Sequence, residues 1–338
     1  MAEIGQRVVF TGPGVAEMEE FPVPEPGQHQ VLLRTECSLF SAGTELTMLL
    51  GQLSTHRGYP CYPGYSNVGV VQAVGPGLEQ PKVGQRLLTM GNHASHVLLD
   101  LSPAQPRGPD YWEVVPDTIA SEVATFAILG SVAMHGVRKA SLQLGEAVAI
   151  FGQGIVGQLI TQLVRMSGGR PIIVLDLFDE RLERAKESGA DFTINPKSRD
   201  PVQAIMAFTG GHGADALFEA TRTSGTIPIM MKAAAQSARL LIVGSLPDKV
   251  EIDPFTELQL KELSIIGCFQ PASPIFGHAY FPWTQRQNRH LFLDMLARSE
   301  VRVEHLITHR LPFSSAPKAY TMIQRGRSGW LGIVLEWQ

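Results

Sequence analysis

The sequence predicts a two-domain α/β protein, with a β-rich domain joined to a doubly wound parallel sheet. Three observations predict it. Short alternating apolar runs, separated by Gly and Pro, fill the first third of the 338-residue chain. In the middle, fully apolar strand-like runs alternate with helical periodicity, the rhythm of βαβ units. The last stretch, "WLGIVLEWQ", turns back to a β pattern. On this reading residues 1–120 form the first part of the β-rich domain, 121–271 the parallel-sheet domain, and 272–338 the return to the first domain.

The early strands are "RVVF" (7–10), "QVLLRTECSL" (30–39), "NVGVVQAVG" (67–75), "QRLLTM" (85–90) and "SHVLLD" (95–100), with "GPGLEQPKVGQ" (75–85) as turn material. "SEVATFAILGSVAMHGVRKA" (121–140) is rich in Ala and free of Pro, and reads as a buried helix. "EAVAIF" (146–151) is an apolar strand, followed by a helix whose Ile155, Val156, Leu159, Ile160, Leu163 and Val164 share one face. "PIIVLD" (171–176) is the next strand and "DERLERAKESGA" (179–190) an exposed helix. The strands "ADALFEAT" (214–221), "ARLLIVG" (238–244) and "LSIIGCF" (263–269) complete the sheet. A loop rich in aromatics (271–288) and a helix (289–300) precede the C-terminal segment.

Composition narrows the function. A formal net charge of −4 gives no nucleic-acid footprint. Cys37, Cys61 and Cys268 are far apart and form no CxxC, which argues against a disulfide framework and against a four-cysteine zinc lobe. Cys37 and Cys268 read as small packing residues. "MAEIGQRVVF" has no basic segment leading into an apolar run, and no stretch approaches the roughly 20 apolar residues of a membrane span. A cytoplasmic protein without membrane partners is expected.

Between a strand and a helix lies Gly152-x-Gly154-x-x-Gly157. The first glycine permits the tight turn, the second lets the backbone approach a pyrophosphate, and the third lets helix and strand pack closely. Ile155 and Val156 lie inside the motif, at the helix start where free N–H groups would receive the phosphates. Asp176 ends the second strand at the expected separation, and its carboxylate would accept from a ribose hydroxyl and repel a 2′-phosphate. NAD is therefore preferred over NADP. Gly244, Ser245, Cys268 and Phe269, at the ends of later strands, are further candidate cofactor contacts, as is Arg181. For Arg181 and Arg184 a solvated helix face is the favoured alternative.

These motifs resemble the medium-chain dehydrogenase/reductase superfamily. "FPVPEPGQHQVLLRTECSLFSAGTE", "YPGYSNVGVVQAVGPGLEQPKVGQRL", "LGEAVAIFGQGIVGQLITQL", "RLERAKESGAD" and "LSIIGCF" fall in the family order over nearly the whole length. The resemblance implies a GroES-like catalytic domain, a Rossmann domain, an active site in the cleft between them, and a homodimer with "LSIIGCF" at the seam. Zinc-dependent members carry metal ligands at positions held here by Ala42, Tyr65 and Ser66, with a further protein ligand near Ile128. Catalytic zinc needs three deprotonatable ligands around an open position. This pattern resembles a zinc-free branch that includes sugar, cyclitol and pigment-precursor dehydrogenases, so no zinc is expected.

Without a metal, hydride transfer from an alcohol needs a proton acceptor. Thr44 matches the family's proton-relay hydroxyl, and Tyr65 occupies a former ligand position. Glu45 and His93 are further catalytic candidates. Each has an alternative: Tyr65 fills the space left by zinc, Glu45 has a supporting role, and His93 binds backbone at a strand start. His96 is expected on or near the surface. Tyr280 and Trp283 have the apolar faces and polar edges that suit a sugar or ring substrate, with interdomain packing as the alternative. His278, Gln285 and Asn288 are unplaced hydroxyl binders. The leading function is an NAD-dependent, zinc-independent dehydrogenase of a secondary alcohol on a polar ring. The alternatives are a zinc-free NADPH quinone or enoyl reductase and a dinucleotide-binding protein without turnover.

Overall fold

The computed structural model describes residues 3–52, 57–102, 112–246, 248–274, 277–326 and 328–337, so Ile275 and Phe276 of the aromatic loop lie outside the described residues. The chain divides into two compact units, Met1–Leu129 with Pro274–Gln338, and Gly130–Ser273.

The first unit contains β1 (Ile4–Gly12), β2 (Val15–Pro22), β3 (Gln30–Leu39), α1 (Ala42–Leu49), β4 (Asn67–Val74), β5 (Arg86–Thr89), β6 (His96–Asp100), β7 (Trp112–Val114) and α2 (Ser121–Ala124). α3 (Phe126–Ala140) follows, and the division into units falls within it. The helix expected over 121–140 is thus two helices. They part at Thr125, whose Oγ1 donates to the Glu122 carbonyl (2.6 Å).

The second unit holds β8 (Val148–Phe151), α4 (Ile155–Met166), β9 (Ile172–Leu175), α5 (Asp179–Glu187), β10 (Phe192–Ile194), α6 (Pro201–Phe208), β11 (Ala214–Glu219), α7 (Thr226–Ala233), β12 (Ala234–Ile242) and β13 (Ser264–Gly267). The first unit resumes with α8 (Gln285–Ala297), β14 (Ile307–Pro312), α9 (Ala316–Arg325) and β15 (Gly332–Glu336).

The second unit is a parallel six-stranded sheet in the order β10-β9-β8-β11-β12-β13. β8 and β9 are buried along their whole length, which their uninterrupted apolar runs require. The order reverses its direction of growth at β8, and a doubly wound sheet binds ligands outside the carboxyl ends of its strands at such a point. The first unit is built on a sheet in the order β14-β15-β3-β4-β5-β7, with β6 also paired to β3. β15 runs antiparallel to β3, with Val334 opposite Leu39, so the two ends of the chain share one sheet. Its core packs Phe10, Phe40, Leu49 and Tyr320 with Trp337. Sequence patterning overlooked β2, α1, β7, β10, α6, α7, β14 and α9; β7 and β10 have only three residues each, too few to show a period. No helix among the described residues is long and apolar enough to cross a membrane.

Candidate functional site

In the second unit the chain leaves β8 through a glycine turn. Gly152 has φ +93°, and a Cβ there would lie 2.9 Å from the Ala220 carbonyl. A Cβ on Gly157 would lie 1.9 Å from the Gly152 carbonyl oxygen. Neither position admits a side chain. Gly154 caps α4 without a side-chain hydrogen bond, so the first N–H groups of α4 have no side-chain oxygen from the cap in front of them. This cradle fits the diphosphate of a dinucleotide. Ile155 is buried and Val156 half-buried, as anchors of the helix.

Asp176 ties the turn to the end of β9. Its Oδ2 accepts from the Gln153 N–H (2.7 Å) and its Oδ1 from the Phe178 N–H (3.0 Å). Arg181 departs from the solvated face expected for it. It is buried, with a guanidinium nitrogen 3.8 Å from Asp176 Oδ2 and the group 5.1 Å above the Phe178 ring. The cause is packing: Gln158 on α4 donates to the Arg181 carbonyl (2.9 Å), which draws the first turn of α5 inward.

The rim continues at the ends of β11 and β12. Glu219, which sequence reasoning missed, is fully buried. Its Oε1 accepts from the N–H groups of Thr221 (2.7 Å) and Arg222 (3.0 Å) and from the Thr221 hydroxyl, while burial pushes its carboxyl upward. The signal was an acid ending the apolar run "ALF" (216–218). The Gly244 N–H donates to the Glu219 carbonyl (2.9 Å), and the Ser245 carbonyl accepts from Arg222 Nε (3.3 Å). Cys268 is buried and its thiol, pushed up to about 12 by burial, faces the Ile266 carbonyl at 3.6 Å. Phe269 beside it is exposed. Cys37, expected to be buried, is only half-buried.

In the first unit, side chains gather around α1. The Tyr65 hydroxyl donates to Ser41 Oγ and lies 3.5 Å from Thr44 Oγ1. Ser41 is the residue that caps α1, yet its hydroxyl makes no cap bond and meets Tyr65 instead. The Ser41 N–H is satisfied by Glu45 Oε1, one turn later (2.7 Å). Glu45 Oε2 accepts from the Tyr320 hydroxyl (2.6 Å) and faces His93 Nε2 at 3.2 Å. His93 Nδ1 lies 2.8 Å from Ser38 Oγ, which also accepts from Trp337 Nε1 (2.8 Å).

His93 therefore engages two side chains through its ring, where backbone binding was expected. Ser38, His93, Glu45 and Tyr320 are all buried, whereas Thr44 and Tyr65 are half-buried. Burial and the neighbouring Glu45 hold the Tyr320 hydroxyl well above the usual phenol range, so it remains a proton donor to Glu45. His96, expected near the surface, is also buried, and burial lowers its pKa. Tyr280 and Trp283 stand on the surface of their unit at 96% and 41% exposure, whereas Gln285 and Asn288 are buried on α8.

The positions that carry zinc ligands in the resembling enzymes do not suit the metal here. Ala42 and Ile128 offer no donor, Ser66 gives its hydroxyl to the Thr125 carbonyl, and the Tyr65 hydroxyl is turned to Ser41. Among the described residues no group of three or more His, Cys, Asp or Glu is arranged to hold a metal ion.

Residues 156–282 match the family of zinc-binding dehydrogenases. The chain is 27% identical over 357 residues to a sorbitol dehydrogenase of Gallus gallus, covering 96% of both proteins. Its fold matches a structure described as a zinc-binding dehydrogenase from Sinorhizobium meliloti 1021 bound to NADP, with a TM-score of 0.83, 22% identity and 99% coverage of both chains. It also matches galactitol-1-phosphate dehydrogenase from Escherichia coli, with a TM-score of 0.83, 20% identity, and coverage of 98% of this chain and 99% of that one. The family match over residues 156–282 and the likeness to these dehydrogenases over nearly the whole chain thus point the same way.

Proposed function

We propose that the protein is a zinc-independent oxidoreductase that moves hydride between a nicotinamide dinucleotide, NAD(H) in preference to NADP(H), and a secondary alcohol or its ketone on a sugar, cyclitol or similar polar ring. The observation that carries this reading is the Tyr65 hydroxyl. It stands at a metal-ligand position of the zinc enzymes and turns onto Ser41 and Thr44. Two of the similar proteins are named for polyols, sorbitol and galactitol-1-phosphate, which supports a polyhydroxylated substrate.

A bound nicotinamide dinucleotide supplies the hydride acceptor for alcohol oxidation. The chain's own residues handle the proton and the binding. The glycine turn and the first N–H groups of α4 hold the diphosphate, and the remaining lone pairs of Asp176 accept ribose hydroxyls. As the carbinol C–H bond gives up hydride, its O–H proton passes to the Tyr65 oxygen. In the same step the Tyr65 proton passes to Thr44 Oγ1, 3.5 Å away, and the hydroxyl proton of half-exposed Thr44 leaves to solvent. Ketone reduction runs the same path backward. Glu45 and His93 are positioning residues: Glu45 fixes the first turn of α1 through the Ser41 N–H, and His93 and Tyr320 fix Glu45. Tyr280 and Trp283 are proposed to meet the substrate through their exposed rings.

A reducing, cytoplasmic setting suits three unpaired cysteines. A homodimer through β13 suits the unpaired edge of that strand, where Ile265 is exposed. The deciding experiment incubates the protein with NAD⁺ and a panel of polyols, and separately with NADPH and enones or quinones. Turnover of a polyol with NAD⁺ is expected. Turnover of enones alone, or binding without any turnover, would overturn the reading.

A further inference from the structure

Trp337, just past β15, is held from two sides. Its backbone N–H donates to the Glu36 carbonyl on β3 (3.0 Å), and its ring stacks on Phe313 with centroids 5.2 Å apart and planes at 10°. The indole nitrogen is thereby set 2.8 Å from Ser38 Oγ. Both side chains are buried, Ser38 completely. An indole N–H can only donate. Ser38 Oγ therefore accepts from it, and the hydroxyl keeps its own hydrogen for His93 Nδ1 at 2.8 Å.

This fixes which nitrogen of His93 carries hydrogen. Nδ1 accepts from Ser38, so Nε2 bears the hydrogen and donates to Glu45 Oε2 at 3.2 Å. The same oxygen receives the Tyr320 hydroxyl (2.6 Å), while Glu45 Oε1 receives the Ser41 N–H (2.7 Å). Every hydrogen bond from Trp337 to Glu45 thus runs in one direction. The opposite tautomer would turn the Nε2 lone pair onto a Glu45 oxygen. It would also leave the buried Ser38 hydrogen without an acceptor among the described residues.

The His93 ring is also the seat of the chain that enters Tyr65. Its backbone N–H donates to the Pro63 carbonyl (2.9 Å). Gly64, at φ +95°, lies on the ring, where a Cβ would be 2.8 Å from His93 Cγ. Phe40 closes against the ring, with centroids 4.9 Å apart. His93 therefore reaches Tyr65 by two routes. One runs through Gly64 to the backbone, and the other through Glu45 and Ser41 to the hydroxyl, which donates to Ser41 Oγ.

We infer that Trp337 and Ser38 are positioning residues for Tyr65: Trp337, through Ser38, holds His93 as the Nε2–H tautomer, and His93 holds the Tyr65 hydroxyl in place by both routes. The inference rests on the proposed proton transfer at Tyr65.

Nitrogen NMR of the full chain labelled at histidine reads the tautomer, with the His93 signals identified by their loss in His93→Gln. The wild type is expected to show hydrogen on Nε2. Trp337→Phe removes the indole donor and keeps an aromatic ring on Phe313, and exchange between the two tautomers is expected there. Its turnover of a polyol that the wild type oxidises should fall about three- to tenfold, the size of one net hydrogen bond, with polyol KM and NADH affinity unchanged. In a Tyr65→Phe background the same substitution should cost nothing further, because the hydroxyl it positions is gone. Ser38→Ala carries the same comparison if Trp337→Phe does not fold, and Ser38→Thr, which keeps the hydroxyl, should restore turnover. An equal loss in both backgrounds would make Trp337 a packing residue and overturn the inference while the proposed function stands. Hydrogen on His93 Nδ1 in the wild type, or unchanged turnover in Trp337→Phe, would overturn it in the same way. A wild type that oxidises no polyol would overturn the proposed function and the inference with it.

Discussion

Tyr65→Phe keeps the ring and removes only the hydroxyl that Ser41 receives. If that hydroxyl handles the substrate proton, turnover should fall by about 10²–10⁴, with NADH affinity little changed. Near-full turnover would make Tyr65 a space filler. Asp176 carries the second prediction at this scale. Its carboxylate would meet a 2′-phosphate, but the neighbouring Arg181 guanidinium, 3.8 Å away, offsets part of its charge. Preference for NADH over NADPH should therefore be moderate, about tenfold in affinity, and Asp176→Ser should erase it. Equal affinities in the unmodified protein would count against Asp176 as the discriminating residue. The substitution also removes the acceptor for the Gln153 and Phe178 N–H groups, so the melting temperature should be followed in parallel.

α3 carries a pH-sensitive contact in its middle. His135 is buried, with Nδ1 2.9 Å from Ser273 Oγ. Burial, with Lys139 adding to it, lowers the imidazole from 6.5 to about 4. The unfolded chain takes up this proton near 6.5 and the folded chain only near 4, so the unfolded state binds more protons between those values. Stability from this site is complete above pH ~6.5 and falls as the pH drops toward ~4, by about 3 kcal/mol at most. His135→Asn does not titrate and keeps a polar atom for Ser273. Between pH ~7 and ~5 its melting temperature should therefore fall less than that of the wild type. Parallel pH profiles for the two proteins would show that His135 is not the titrating group.

The whole molecule makes two further predictions. Purified without chelator, it should contain far less than one zinc per chain, because Ala42, Tyr65, Ser66 and Ile128 offer no deprotonatable ligand set. A stoichiometric zinc whose removal abolishes activity would refute this. At micromolar concentration light scattering should report a dimer. Among the described residues β13 has a strand partner on one side only, and its exposed Ile265 would be an unprotected edge in a monomer. A monomeric mass would remove the β13 seam.

The glycine turn was legible because its constraints are local. Gly152, Gly157 and Asp176 lie within one strand-helix-strand segment, and both the period of the apolar residues and the need for a bare Cα are written into neighbouring positions. The parallel sheet followed for the same reason, since strands buried on both faces must be continuously apolar. The surroundings of Glu45 were not legible. Its hydrogen bond to Tyr320 spans 275 positions, and that of Trp337 to Ser38 spans 299. No period or motif encodes such a pairing; it exists only once β15 has come to lie against β3. Arg181 shows the limit at short range, because a charged run reads as solvated until α4 and the glycine turn cover its first turn. The sequence by itself determined the two-part α/β architecture, the glycine turn between β8 and α4, and the lack of metal-binding side chains at the aligned positions, since side-chain chemistry and periodicity are properties of the chain. Only the tertiary structure decided which polar groups are buried together and which hydroxyl faces which, because those choices depend on residues brought together across the whole chain.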